Sequence, residues 1–128
     1  MILLDSDVMI DILREYPPAV AWLESLGDET LGLPGYVAME LIQGCANRGE
    51  QARVEKALEP YVIEWPTPET CNQALGVFAQ FHLSHKLGLL DALIGQMAIA
   101  LNTPLHTFNE KHYVLIPGLR IIQPYIKA

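Results

Sequence analysis

The sequence predicts an α/β fold, a three-layer α/β/α sandwich around a central, mostly parallel sheet of about five strands. Three observations carry this expectation. Short apolar runs alternate along the chain with segments of helical periodicity, the pattern of strand–helix–strand units. No internal repeat, low-complexity stretch or linker interrupts the 128 residues, so residues 1–128 read as one domain. Hydrophobic residues make up 51% and charged residues 18%, enough apolar side chain for a packed core and the opposite of a disordered composition.

Each element has its own signal. Met1–Leu4 is an apolar run ending at Asp5, read as a buried strand. Ser6–Arg14 turns helical, with Val8 and Ile12, and Met9 and Leu13, in i,i+4 pairs. Pro17–Pro18 opens a second helix that turns Val20, Trp22, Leu23 and Leu26 inward. Thr30–Leu33 is a second strand, broken by Pro34–Gly35. Tyr36–Ala46 is a helix closed near Asn47 and Gly49, and Gln51–Glu59 another, ended by Pro60. Tyr61–Trp65 alternates as a strand. Thr67 caps a long helix with Glu69 in its first turn, reaching about His85. Asp91–Leu101 is an almost wholly apolar helix and therefore buried. Pro104–Thr107 is the next strand, Ile116–Leu119 a turn, and Arg120–Ile122 a last short strand. Trp22, Trp65, Phe78 and Phe81 are expected in the core.

Composition bounds the function. The apolar runs are too short and interrupted to span a bilayer, and Met1–Leu4 followed by Asp5 and Asp7 lacks the basic start of a secretory signal. A cytoplasmic protein with no membrane partner is expected. Cys45 and Cys71 show neither CxxC nor zinc spacing and read as reduced, partly buried thiols. The formal net charge of -7 is awkward for a nucleic-acid binder, which needs a basic face. Divalent ions could neutralise an acidic site and bridge to phosphate, or the acidic surface could serve a basic protein partner.

The acids are placed where chemistry would need them. Asp5 ends the first strand, Asp91 begins an apolar helix, Glu40 lies in a helix beside Val37, Met39, Leu41 and Ile42, and Asn109 follows the strand Leu105–Thr107. In an open parallel sheet, sites form outside the carboxyl ends of the strands. An ionised carboxylate among apolar residues is costly without compensation. Lysine and arginine total only 8, none within the motifs around Glu40 or Asp91. A hard divalent cation, Mg²⁺ or Mn²⁺, is the natural partner of converging carboxylates, and could activate a water against a phosphodiester. Taken singly, each acid also has a bland reading. Asp5 and Asp91 could be helix caps, Glu40 an exposed helix residue, and Asp7 and Asp11 helix-start or surface acids. His82 and His85, one helical turn apart with no third ligand, read as a surface pair.

The same residues resemble the PIN-domain ribonucleases. The segment Leu3-Leu4-Asp5-Ser6-Asp7-Val8-Met9-Ile10-Asp11 is similar to the family's opening strand and first acid. Glu40-Leu41-Ile42-Gln43-Gly44, Asp91-Ala92-Leu93-Ile94-Gly95 and Thr107-Phe108-Asn109-Glu110-Lys111-His112-Tyr113 resemble the three later motifs, in order. The tail Ile116-Pro117-Gly118-Leu119 with Pro124 resembles VapC-type toxins of type II toxin–antitoxin systems. The resemblance implies a metal-dependent endoribonuclease cutting single-stranded RNA, a small antitoxin with a basic tail as partner, and a homodimer. It implies Asp5, Glu40 and Asp91 as metal ligands, Asn109 as a fourth catalytic position, and Ser6 as a hydroxyl beside the first acid. Lys111 and His112 fall where they could touch substrate phosphate. Asn109 stands where the family often has Asp, which removes a charge, and Asp7 stands for the common Asn, which adds one and could compensate. Two other readings compete. With Asn109 the domain could be a weakly active or inactive RNA- or antitoxin-binding regulatory module. Asp5-x-Asp7 after an apolar strand also resembles haloacid-dehalogenase-type phosphatases, but beyond Asp28 the only Asp is Asp91, so the late acidic pair of that class is missing.

Overall fold

Ile2–Leu4 (β1) is the central strand of a five-stranded sheet of order β3-β2-β1-β4-β5. Its neighbours are Leu31–Pro34 (β2) and Leu105–His106 (β4), with Val62–Glu64 (β3) and Ile121–Ile122 (β5) at the edges. Every pairing is parallel, with Leu3 opposite Gly32 on one side and Leu105 on the other. The computed structural model describes residues 1–127. Among them the helices are Ser6–Leu13 (α1), Pro17–Ser25 (α2), Gly35–Gln43 (α3), Arg48–Leu58 (α4), Pro68–His85 (α5), Leu89–Ala100 (α6) and Glu110–Tyr113 (α7). None is long and apolar enough to cross a membrane.

The connections dictate the layers. The chain steps from β1 to β2 to β3 in one direction, then jumps back across β1 to β4 and on to β5. Right-handed crossovers put helices made on the outward steps on one face and those made after the reversal on the other. The packing follows this division: α1 lies on α2 and α3, and α3 on α4, whereas α6 lies on α5 and α7. The result is the expected α/β/α sandwich. The reversal makes β1 and β4 adjacent strands whose chains leave in opposite directions, and such a switch point opens a crevice at their carboxyl ends.

The core is what a sheet covered on both faces requires. Leu3, Leu4, Leu33 and Leu105 are fully buried, as are Val8, Met9 and Val37 from the helices above them. Truncating one of these leucines to alanine costs about 2–5 kcal/mol. Gly95 lets α6 approach the turn after α7, because a Cβ there would lie 2.6 Å from Ile116 Cδ1.

Several local expectations are corrected. The α3 helix stops at Gln43 with Gly44 as its cap, short of the expected Ala46. Asn47 does not close it but opens α4, its side chain accepting from the Glu50 amide, so α4 begins at Arg48 and not Gln51. Asn serves either role, and the reciprocal bond from Ala46 N to Glu50 Oε2, a capping box, decides it. Trp65 is not core: it is 56% exposed and covers Gly35 and the edge of the Tyr36 ring. Residues 110–113, read only as a motif, form α7. Cys45 and Cys71 are free, half-buried thiols. His82 stacks on Phe78, and the His85 ring meets the Ser84 hydroxyl at 2.7 Å, as a surface pair would.

Candidate active site

Asp5 leaves β1 at the switch point as the N-cap of α1, its Oδ1 accepting from the Ser6 amide at 2.8 Å. Asp5 is only 3% exposed. Its other oxygen accepts from Thr107 Oγ1, at the end of β4, at 2.9 Å. Burial pushes its carboxyl above the ordinary 3.8, and the charge of Asp7 pushes it further. The Ser6 amide and the hydroxyls of Thr107 and Tyr113 oppose the rise without cancelling it. No lysine or arginine among the described residues pairs with it.

Glu40 reaches the same region from the middle of α3. Its carboxyl is raised by burial and then by the charges of Asp5 and Asp91, so both lie within electrostatic reach of Glu40. Asp91 sits in the first turn of α6, which has no side-chain cap because its N-cap is Gly88. Gly88 has an ordinary φ of -77°, so its conformation does not demand glycine. A Cβ there would lie 2.9 Å from Asp91 Oδ2, so a larger residue would push the carboxylate aside. The same oxygen meets His112 Nδ1 at 3.1 Å, from α7.

The remaining positions fall in a different arrangement from the expected one. Asp7 places its negative charge beside Asp5, whose carboxyl it helps to raise, and its Oδ2 accepts from the Phe108 amide at 2.8 Å and from Thr107 Oγ1 at 3.4 Å. It thereby holds the segment after β4. Ser6 touches Asp5 through its amide. Asn109 is exposed at the start of α7; its amide donates to Thr107 Oγ1 at 3.0 Å and its side chain makes no cap bond. Lys111 is exposed on α7, and His112 is turned to Asp91.

Sequence reasoning passed over two participants, Thr107 and Tyr113. Thr107 is 3% exposed and its hydroxyl serves Asp5 and Asp7 while accepting from Asn109. Tyr113 is 1% exposed, and burial followed by the charges of Asp5 and Asp91 drives its hydroxyl far above the ordinary range, so it stays protonated. They open and close the motif Thr107–Tyr113, but only burial distinguishes them from surface hydroxyls.

Beside Glu40 a cleft of about 570 Å³ runs between α1, α3 and α4. Ile10, Leu13, Leu41 and Val54 line it, with Arg14 and Arg53 at hand. The acids are not a preformed cage, since among the described residues no three His, Cys, Asp or Glu side chains stand close enough to clasp an ion. Their chemistry nonetheless fits one. They are hard oxygen donors carrying unneutralised charge, and Gly88 leaves open the space that the Asp91 carboxylate fills.

An α/β/α sandwich with a buried Asp5 at the switch point between β1 and β4, and Glu40 and Asp91 nearby, is the architecture of a known domain family. The sequence pattern of the PIN domain matches residues 2–115, and this chain belongs to the PIN-domain family. It is 31% identical over 122 residues to Ribonuclease VapC10 of Mycobacterium tuberculosis, covering 94% of this chain and 91% of that protein. A toxin–antitoxin complex from Klebsiella pneumoniae has the same fold, with a TM-score of 0.79 at 24% identity and 98% of both chains covered. So does FitAB bound to a DNA fragment, with a TM-score of 0.80 at 21% identity over 100% of this chain and 98% of that one.

Proposed function

We propose that this chain is a metal-dependent endoribonuclease of the VapC toxin type, cutting single-stranded RNA and held in check by a small antitoxin. The observation that carries the reading is Asp5, a nearly inaccessible carboxylate with a raised pKa and no cationic partner among the described residues, whose charge, with that of Asp91, also acts on Glu40. Natural proteins leave such charge uncompensated where something arrives to compensate it. Asp5, Glu40 and Asp91 would hold a Mg²⁺ or Mn²⁺ ion, with Asn109 as a neutral assistant. Bound there, the ion supplies an acidified water and a counter-charge for the phosphate.

The chain's own residues do the rest. Thr107 and Tyr113 donate to Asp5, hold its oxygens in place and favour its ionised form against burial. His112 orients the Asp91 carboxylate. Arg14 and Arg53 line the cleft that opens beside Glu40, which supports a route for the phosphate backbone in a chain whose net charge is otherwise -7. Lys111, exposed on α7, is a further phosphate contact. An antitoxin segment with an apolar face would fit Ile10, Leu13, Leu41 and Val54, and a basic side chain on it would reach the acids. Occupying that cleft blocks RNA and ion together. Leu75, Leu83 and Leu89, exposed on α5 and α6, offer a surface for a second copy of the chain.

The test is RNA cleavage by the purified chain in a chelator and after Mn²⁺ is restored. Activity that appears only with the ion and disappears in Asp5→Asn supports the reading. Cleavage that persists in the chelator and survives Asp5→Asn overturns the metal mechanism. No cleavage under any condition, with RNA or antitoxin still bound, favours the regulatory module, a reading that the exposed Asn109 and the open spacing of the acids would then explain.

A further inference from the structure

The last residues of the described chain, Tyr125 to Lys127, return to α1 and to the segment that carries Thr107 and Asn109. Tyr125 Oη donates to Asp11 Oδ2 at 2.7 Å, and Lys127 Nζ pairs with the same oxygen at 2.9 Å. Burial raises the Asp11 carboxyl, but Tyr125 and Lys127 outweigh it and leave the group below its ordinary range. From this anchor both side chains reach Phe108. The Tyr125 ring lies 4.9 Å from the Phe108 ring, and the Lys127 ammonium 4.3 Å from its centroid. On its other side Tyr125 meets Trp22 at 6.1 Å, which in turn packs on His106 of β4 at 5.6 Å.

Phe108 is therefore gripped at both ends. Its ring is held by Tyr125 and Lys127, and its amide by Asp7 of α1. Its two chain neighbours are Thr107, which donates to Asp5, and Asn109, whose amide returns to Thr107. None of the residues making the grip touches Asp5, Glu40 or Asp91 in a hydrogen bond or ion pair among the described residues, except through Thr107. We propose that Tyr125 and Lys127 are positioning residues for the acid pocket: anchored on Asp11, they clamp Phe108 and so hold Thr107 and Asn109 in register with Asp5. The inference rests on the reading of that pocket as the active site. Its physical basis is leverage, since a cation over an aromatic face and a ring–ring contact each contribute modestly, yet both act on one residue flanked by two site residues.

The experiment compares the full chain with Tyr125→Leu/Lys127→Met, which keeps apolar bulk but removes the hydroxyl, the ring and the charge. Amide hydrogen exchange reads the clamp without reference to activity, because the Phe108 and Asn109 amides are bonded only while the segment stays in place. We expect their exchange to rise at least about tenfold while the amides of α5 keep their protection. The Mn²⁺ concentration for half-maximal cleavage should rise by about 10-fold, in the range lost with outer-shell partners of a metal site. Tyr125→Phe and Lys127→Arg, each keeping part of the clamp, should fall between. If the double variant does not fold, Asp11→Asn releases the same anchor from the α1 side and takes its place. Unchanged exchange at Phe108 and Asn109, or exchange raised equally in α5, overturns the proposal. Wild-type protein that needs no Mn²⁺ overturns the active-site reading instead, and the exchange comparison then still decides whether the clamp exists.

Discussion

Asp5 and Asp11 belong to the same helix and its cap, and their surroundings are opposite. Asp11 receives a tyrosine hydroxyl and a lysine ammonium and lies below its ordinary pKa. Asp5 is far more buried, receives only neutral donors, faces other acids, and lies above it. One carboxylate has its counter-charge in the fold, and the other lacks it. The lesson is that charge alone does not mark a functional acid, whereas charge the fold leaves unneutralised does. Each prediction below breaks or sharpens this contrast.

The largest effect should come from neutralising the unpaired acid. Asp5→Asn is expected to reduce Mn²⁺-dependent RNA cleavage by more than the roughly 100-fold that losing an outer-shell partner costs. Thermal unfolding of the same variant in a chelator should show no loss of stability, because the substitution removes a carboxylate the fold disfavours at neutral pH. A variant that is both inactive and unfolded would show instead that Asp5 acts mainly as the cap of α1.

Next comes steric displacement without loss of charge. Gly88→Ala places a methyl group against Asp91 Oδ2, 2.9 Å away, and should lower cleavage between about tenfold and a hundredfold, since small misplacements near reacting groups carry penalties of that size. The α6 helix should keep its stability, because φ at Gly88 suits any residue. Unaltered kinetics in this variant would mean that Asp91 is free to move and its position carries no function.

The pH dependence of stability separates the two acids in one titration. Asp5 and Glu40 have raised folded-state values, so the native state without metal holds protons that the unfolded chain has released above their ordinary 3.8 and 4.5. Stability should therefore fall as pH rises through that window toward neutrality, and saturating Mn²⁺ should remove the fall and add about 2.7 kcal/mol at 100 times its dissociation constant. Asp11 contributes with the opposite sign: its share is present above its ordinary 3.8 and is lost as pH falls below it. Calorimetry on wild type, Asp5→Asn and Asp11→Asn assigns each limb, and a metal-free stability that climbs steadily from pH 4 to 7 in all three would remove the contrast.

The smallest effect is expected at the surface position. Asn109→Asp restores a charge at the edge of the pocket and should lower the Mn²⁺ concentration for half-maximal cleavage by a few fold, of the order a partly screened charge provides. Its amide bond to Thr107 is a main-chain contact and should survive. No shift in metal requirement would leave Asn109 as a helix-start residue only.

What the sequence alone determined is local. Alternating apolar runs and 3.6-residue periods are properties of neighbouring residues, so the order of strands and helices and the parallel α/β class were legible in them. The placing of Asp5 after a strand and Asp91 in the first turn of an apolar helix was legible for the same reason. Boundaries were less so, because Asn47 can end one helix or begin the next, and only the bond from Ala46 to Glu50 chose. Trp65 was misplaced because hydrophobicity measures what a side chain would gain by burial, not whether the edge strand β3 offers it room. The tertiary structure decided everything that depends on residues about a hundred positions apart. Thr107 on Asp5, Phe108 on Asp7 and Tyr125 on Asp11 join the two ends of the chain, and no short-range pattern encodes them. They exist because the sheet order reverses beside β1 and brings β4, and the tail beyond β5, back to the first helix. That reversal also decided which acid is buried without a counter-ion and which finds one in the fold.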